Sequence, residues 1–412
     1  VHFPHDPVRS DLGRLAGARF ISLAGSDATA IAIGFALYAQ THSAHWLSLS
    51  LMLTIGTSAL LAPFGGRLGD RFDRRRLMIS AELLTAALFV ALAFVHTPAA
   101  LLAIGFLAAA IGTVYGPASG AAIAFIAGDR HLAWANAVIA TGANLGKMAG
   151  RVAGGVLISV FGAAAVFVLD AITFVVSAIL TRSVRRAFSA PLTHVHPDDA
   201  GEAIASEAAA KGGMRFVLGD RTVRLIVASA CISTFATAFS MTAEIPLVFE
   251  LGGGALALGL LTAFWGGGMV AGSWFAGRAL HDGNEATAIL AGRLVMATGI
   301  GLVAAAPAIG PLFVLYALGG AGGGLMGVAA QSMIMRHTPD PMRSATLGAI
   351  ESLRNAAFGA GVVGAGAAVT LAGPRPVYAV VGLVMAVGTL PVAALVRRLG
   401  GPRRLSLQPA VV

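Results

Sequence analysis

Between two long apolar runs stands the stretch Gly66-Arg67-Leu68-Gly69-Asp70-Arg71-Phe72-Asp73-Arg74-Arg75-Arg76. So dense a run of charge cannot lie in hydrocarbon, so it pins this point of the chain to a membrane surface. Arg67, Arg71, Arg74, Arg75 and Arg76 place that surface on the cytoplasmic side by the positive-inside rule. Composition leaves no soluble alternative. Hydrophobic residues make up 57% of the chain and charged residues 11%, with a mean hydropathy of +0.82. A soluble domain carries about a quarter charged residues, enough to cover its surface.

A spanning helix takes roughly 20 apolar residues. Breaking the chain at polar and Pro/Gly-rich clusters predicts twelve spans, near 18–40, 46–66, 77–96, 99–127, 134–159, 162–183, 223–248, 255–279, 287–308, 310–334, 344–370 and 375–396. This count puts both termini in the cytoplasm and most of the 28 lysines and arginines in cytoplasmic segments; only Arg375, at the start of the last span, is left for the far side. The polar N-terminus, Val1 to Arg19, lacks a short apolar core with a small-residue cleavage site, so the first span is expected to be retained.

The segment 183–222, with Pro191, Pro197, Asp198, Asp199, Glu202 and Glu207, has the composition of a linker, with an interfacial helix at Met214 to Leu218. It separates an N-terminal six-helix bundle (1–182) from a C-terminal one (223–412), the linker itself being cytoplasmic. Gly66-Arg67-Leu68 is echoed by Gly277-Arg278-Ala279-Leu280, each at the end of its half's second span. The expected fold is therefore an all-α membrane protein, twelve transmembrane helices in two pseudo-symmetric six-helix bundles about a midplane site.

Several function classes drop out. The net charge of +9 sits in short inter-span loops without a basic face, which argues against nucleic acid. Cys231 is the single cysteine, so there is no intramolecular disulfide and no cysteine-cluster metal site. Gly319 to Gly324 mimics a dinucleotide loop but lies inside an apolar span with no preceding strand. No phosphate-loop motif, no metal-ligand histidine spacing and no grouping for covalent or hydrolytic catalysis is present. Neither an enzyme nor a cofactor or metal is expected.

The spacing Gly66-x3-Asp70-Arg71-x2-Arg74-Arg75 resembles the loop signature of the major facilitator superfamily, with Asp73 where that family has glycine. The resemblance implies a cytoplasmic latch between the halves, carried by Gly66, Gly69, Asp70, Arg71, Arg74 and Arg75. In span five, Gly142, Gly146, Gly150 and Gly154 recur every fourth residue and let another helix approach closely. This run resembles the antiporter motif of exporters in the superfamily, except that Arg151 stands where the motif has proline. Tyr115-Gly116-Pro117-Ala118, Leu132-Ala133-Trp134-Ala135-Asn136-Ala137, Gly154-Gly155-Val156-Leu157, Asp170-Ala171-Ile172-Thr173-Phe174 and Gly213-Met214-Arg215-Phe216-Val217 are similar to segments of one exporter branch, which includes enterobactin and macrolide exporters.

Ionisable residues inside spans are costly and mark function. Asp27 lies about 15 Å into span one at 1.5 Å per residue, and no cation of its own helix neutralises it. Asp27, then Glu351 and Glu244, are the candidates for a carboxylate that exchanges its proton as the site alternates. Lys147, Arg151, Asp170 and Arg354 are charge partners, with Asp170–Arg151 and Glu351–Arg354 the expected static pairs. Spans one, four, seven and ten line the cavity in the architecture the resemblance implies, which nominates Phe35, Tyr38, Tyr115, Phe235, Phe239, Met326 and Gln331 as substrate contacts. The expectation is a monomeric secondary transporter in a bacterial cytoplasmic (inner) membrane, exchanging protons for a small lipophilic or amphipathic drug or siderophore. The alternatives are a lysophospholipid flippase on the same fold, or a non-transporting membrane sensor or assembly protein.

Overall fold

The computed structural model describes residues 7–188, 212–281, 283–339, 342–399 and 401. Residues 189–211 of the expected linker lie outside the described residues, as do the side chains of 62–71 and of Leu132, Ala133, Asn136 and Ala137. Among the described residues all regular structure is helical. The first helices are α1 (Pro7–Thr41), α2 (Ala44–Arg71) and α3 (Arg74–Leu92). The stretch Pro98–Ser183 follows, broken at Gly128 (φ 56°) and Gly162 (φ 80°) into α4 (98–127), α5 (129–161) and α6 (163–183). Both breaks use left-handed backbone that only glycine adopts without strain. After a short helix over 212–219 come α7 (Arg221–Glu250), α8 (Ala255–Ala279), α9 (Glu285–Leu302), α10 (Ile309–His337), α11 (Arg343–Ala372) and α12, which runs Pro374–Val387 and resumes at Leu390–Arg398.

Nine stretches of the described residues are long and apolar enough to cross a membrane, α5 and α6 counting as one. With α2, partly outside the description, and α3, whose charges lower its hydropathy, the chain has the twelve membrane helices expected. Two boundaries differ from the sequence reading. Helix α1 starts at Pro7, well before residue 18, because its polar first turns are held: Asp11 accepts the amides of Arg185 and Arg186 at 3.2 and 3.0 Å. The charged stretch 66–76 is mostly helix, since α2 runs on to Arg71. The turn is only Phe72 and Asp73, where the Asp73 carboxylate caps α3 by accepting the Arg76 amide at 2.8 Å.

The chain forms two compact units, Val1–Thr193 with Gly253–Leu260, and His194–Gly252 with Leu261–Val412. In the first, α1 lies along the α4–α6 stretch. A Cβ at Gly146 would come within 2.5 Å of the Phe20 carbonyl, one at Gly150 would overlap the Ala24 carbonyl, and one at Gly154 would be 2.7 Å from the Ala28 Cα. Three successive turns of α5 therefore rest directly on the α1 backbone. In the second unit α10 has this role. Gly322 meets α9, Gly320 and Gly324 meet Trp265 and Met269 of α8, and Gly319 lies between Trp265 of α8 and Ile300 of α9. The glycine run of 319–324 is a packing surface on two sides. Outward-facing apolar side chains such as Val160 and Phe161 in one unit and Val363 and Leu371 in the other are exposed, as lipid-facing residues must be.

Candidate functional site

The close approach of α5 to α1 decides where its charges go. Arg151 follows Gly150, and its Nε donates to Asp27 Oδ1 at 2.8 Å. The Asp27 side chain is 13% exposed and that of Arg151 41%. Arg151 therefore pairs with Asp27 rather than with Asp170, the partner expected from depth alone. Because the glycines bring α5 onto α1 and not onto α6, the nearest carboxylate is on α1. Asp170 is buried against Gly25 and accepts from Thr173 Oγ1 at 2.9 Å. Lys147, one turn before Arg151, is exposed.

Beside this pair the first unit holds a chamber of about 420 Å³, walled by α1, α2, α3, α4 and α6. Its polar lining includes Arg19, Ser22, Ser26 and Thr29 of α1, Glu82 of α3 and Tyr115 of α4. Glu82 is 1% exposed. Ser177 of α6 donates to its Oε1, and the Tyr115 hydroxyl faces the same carboxylate. Arg19 lies over the Tyr115 ring, 5.3 Å from its centroid, so a carboxylate, a guanidinium and a phenol share one mostly apolar enclosure. Of the three α1 and α4 aromatics nominated from the sequence, Tyr115 lines this chamber. Phe35 and Tyr38 are part-buried elsewhere on α1, Tyr38 edge-on to His42. Glu82 was missed although it is the one acidic residue within its predicted span, a signal visible in the sequence.

The second unit has its own chamber, of about 240 Å³, walled by α7, α9, α10 and α11. It gathers Met326, Gln331, Glu351 and Arg354 of the predicted set and adds Arg293. Glu351 and Arg354 pair at 2.7 Å on one face of α11, as their spacing predicted. Arg293 is 3% exposed. Its Nη1 donates to the Ser229 carbonyl at 2.9 Å and to Ser233 Oγ at 2.6 Å, while Nε has no hydrogen-bond partner among the described residues. Phe235 and Phe239 line a different, wholly apolar pocket of about 230 Å³ with α11 and α12. Glu244 faces the buried Tyr316–Tyr378 pair, whose hydroxyls are 2.8 Å apart.

Of the predicted latch residues, the side chains of Gly66, Gly69, Asp70 and Arg71 lie outside the described residues. Arg74 and Arg75 make their contacts with the segment after α6. Arg74 donates to the Phe188 carbonyl at 3.5 Å, and Arg75 donates to the Arg186 carbonyl and lies over the Phe188 ring at 4.6 Å. With Asp11, they tie the start of α1 and of α3 to the end of α6. No group of three His, Cys, Asp or Glu residues able to hold a metal occurs among the described residues.

Comparison with known proteins adds the family. Residues 15–292 match the Major Facilitator Superfamily. The uncharacterized MFS-type transporter YfiS of Bacillus subtilis (strain 168) is 24% identical over 341 residues, 81% of this chain and 79% of its own. The multidrug resistance protein MdtG of Proteus mirabilis (strain HI4320) is 29% identical over 136 residues, 33% of this chain; the match spans about a third (34%) of MdtG. Among solved structures, a peptide transporter POT in complex with alafosfalin has the same fold, with a TM-score of 0.70 at 15% identity, covering 94% of each chain.

Proposed function

We infer from a chain that belongs to the Major Facilitator Superfamily, and is therefore a membrane-embedded secondary transporter of small molecules, that its task is to export a lipophilic or amphipathic compound in exchange for protons. A drug or siderophore fits that description. The observation that carries this reading is the Asp27–Arg151 ion pair joining α1 to α5 at 2.8 Å. Coulomb attraction between these charges holds the two helices in one register. A proton on Asp27 cancels the attraction and frees Arg151, so proton binding and helix arrangement become one event. The partial likeness to a protein named for multidrug resistance and the mostly apolar chamber lining support an apolar cargo.

In this reading the protein works as a monomer in a bacterial inner membrane, with both termini cytoplasmic. Gly66, Gly69, Asp70, Arg71, Arg74 and Arg75 carry the cytoplasmic latch, and Glu244 and Glu351 assist proton movement. The chain is a transporter and not an enzyme. The test is uptake of lipophilic dyes, antibiotics and siderophores into proteoliposomes with and without an imposed pH gradient. Gradient-driven uptake that falls at least about tenfold in Asp27→Asn is expected, because a neutral partner cannot restrain Arg151. Uptake indifferent to collapse of the gradient refutes proton exchange and favours a lipid flippase. Full gradient-driven activity in Asp27→Asn removes Asp27 from the coupling step.

A further inference from the structure

Arg293 is a buried cation with no carboxylate paired to it among the described residues. Burying a guanidinium inside a membrane helix is expensive, and a buried charge is ordinarily paired. Here the described hydrogen bonds that Arg293 donates are accepted by neutral groups, the Ser229 carbonyl and the Ser233 hydroxyl, and Nε remains open. The chamber that Arg293 lines contains one carboxylate, Glu351, and that carboxylate is bound to a second guanidinium, Arg354, at 2.7 Å. Among the described lining residues, two fixed positive charges therefore meet one negative charge, leaving an excess of one.

The rest of the wall says what kind of molecule could bring the missing charge. Ile226, Met296, Met326, Leu347 and Ile350 give it an apolar body, and Thr234, Thr237 and Gln331 add neutral hydrogen-bonding groups. At about 240 Å³ the space suits a small ring system with a short polar head. A planar guanidinium with an open N–H is matched by a carboxylate or a like oxyanion, which accepts charge-assisted hydrogen bonds. We propose that the α7–α9–α10–α11 chamber is a binding site for an amphipathic organic acid, whose anionic head is held by Arg293 and whose apolar body lies against the methionine and isoleucine wall. This deepens the export reading, on which it rests only for the step of calling the ligand cargo.

The test uses the purified full-length chain in detergent and three probes with the same ring system: 2-naphthoate, neutral 2-naphthamide and cationic 2-naphthylmethylammonium. Equilibrium dialysis should show 2-naphthoate bound at least about tenfold more tightly than the amide, as expected for a charge-assisted pair, with the cation weakest. Arg293→Gln should bring acid and amide to equal affinity, while Arg293→Lys should keep part of the preference. Ala330→Phe, which fills the chamber and leaves Arg293 in place, should abolish binding of the acid and serves where the glutamine variant does not fold. Equal affinity for acid and amide in the native protein, an undiminished preference in Arg293→Gln, or full acid binding in Ala330→Phe would each overturn the site. Acid-selective binding by a protein that moves nothing in proteoliposomes leaves the site standing and refutes export. Export that treats acid and amide alike keeps export and refutes the site.

Discussion

The third helix of each unit buries a charge at its ninth residue: Glu82 in α3 and Arg293 in α9. Both are almost wholly buried, both face the chamber of their own unit, and both are held by serines, Ser177 in one case and Ser229 and Ser233 in the other. The sign is opposite. A repeated six-helix scaffold thus offers a place where a charge can be buried and hydrogen-bonded, and leaves its polarity to the side chain. In the first unit the carboxylate shares its chamber with Arg19; in the second the guanidinium shares its chamber with an already paired Glu351. The first chamber is balanced from within, and the second requires something from outside.

The helix contacts differ in the same instructive way. The first unit places its close glycine contact between α1 and α5, and the second places it on both faces of α10. The largest expected effect is therefore Gly150→Leu, where added atoms would meet the Ala24 carbonyl and not a flexible side chain. Overpacking at one site costs typically 1–3 kcal/mol and occasionally more. Against backbone we expect the upper end, measured as a loss of folded, monodisperse protein. Gly120→Ala, which faces open space, is the control and should be silent. If Gly150→Leu folds normally, the α1–α5 contact is not what positions Arg151.

Next in size is a contrast between the two buried charges. Arg293→Met should raise the thermal unfolding midpoint, because replacing an uncompensated buried charge by an apolar group of similar length is often worth about 1–4 kcal/mol. Glu82→Met should lower it, since Ser177 loses its acceptor and Arg19 the one negative charge that lines its chamber among the described residues. Equal shifts of the same sign in detergent-solubilised protein would remove the distinction between a balanced and an unbalanced chamber. A double-mutant cycle of Asp27→Asn and Arg151→Gln should then give a coupling of about 1 kcal/mol, a modest value because the arginine is 41% exposed. No coupling would mean that the pair contributes nothing to holding α1 and α5. The smallest effects belong to the caps. Asp73→Ala on α3 and Asp220→Ala on α7 each remove one amide acceptor and should cost about 1 kcal/mol apiece. A much larger loss at Asp73 would give that turn a role beyond capping.

Much of the architecture was legible because membrane helices advertise themselves by length and apolarity. The joins at Pro98 and Gly162 fell where expected, since proline starts a helix and glycine alone takes the left-handed backbone found there. The Glu351–Arg354 pair was legible because two residues three apart on one helix share a face whatever surrounds them. The start of α1 is hidden in the sequence because Asp11 and Arg14 look like solvent-facing polar residues, whereas in the fold both also bond to the end of α6. Glu82 was passed over although it stood alone among apolar neighbours.

By itself, the order of apolar runs, glycines and charged turns determined that the chain is an all-helical membrane protein of twelve spans, because burial of backbone polar groups in lipid permits little else. Only the tertiary structure decided which charges meet. Arg151 lies at a depth where either Asp27 or Asp170 could receive it, and depth is all that a single chain of letters encodes. The choice fell to the face of α5 that its glycines press onto α1, which brings Asp27 to 2.8 Å. In the same way, nothing in the sequence tells that Arg293 has neutral neighbours, since that depends on which side of α9 turns toward α7.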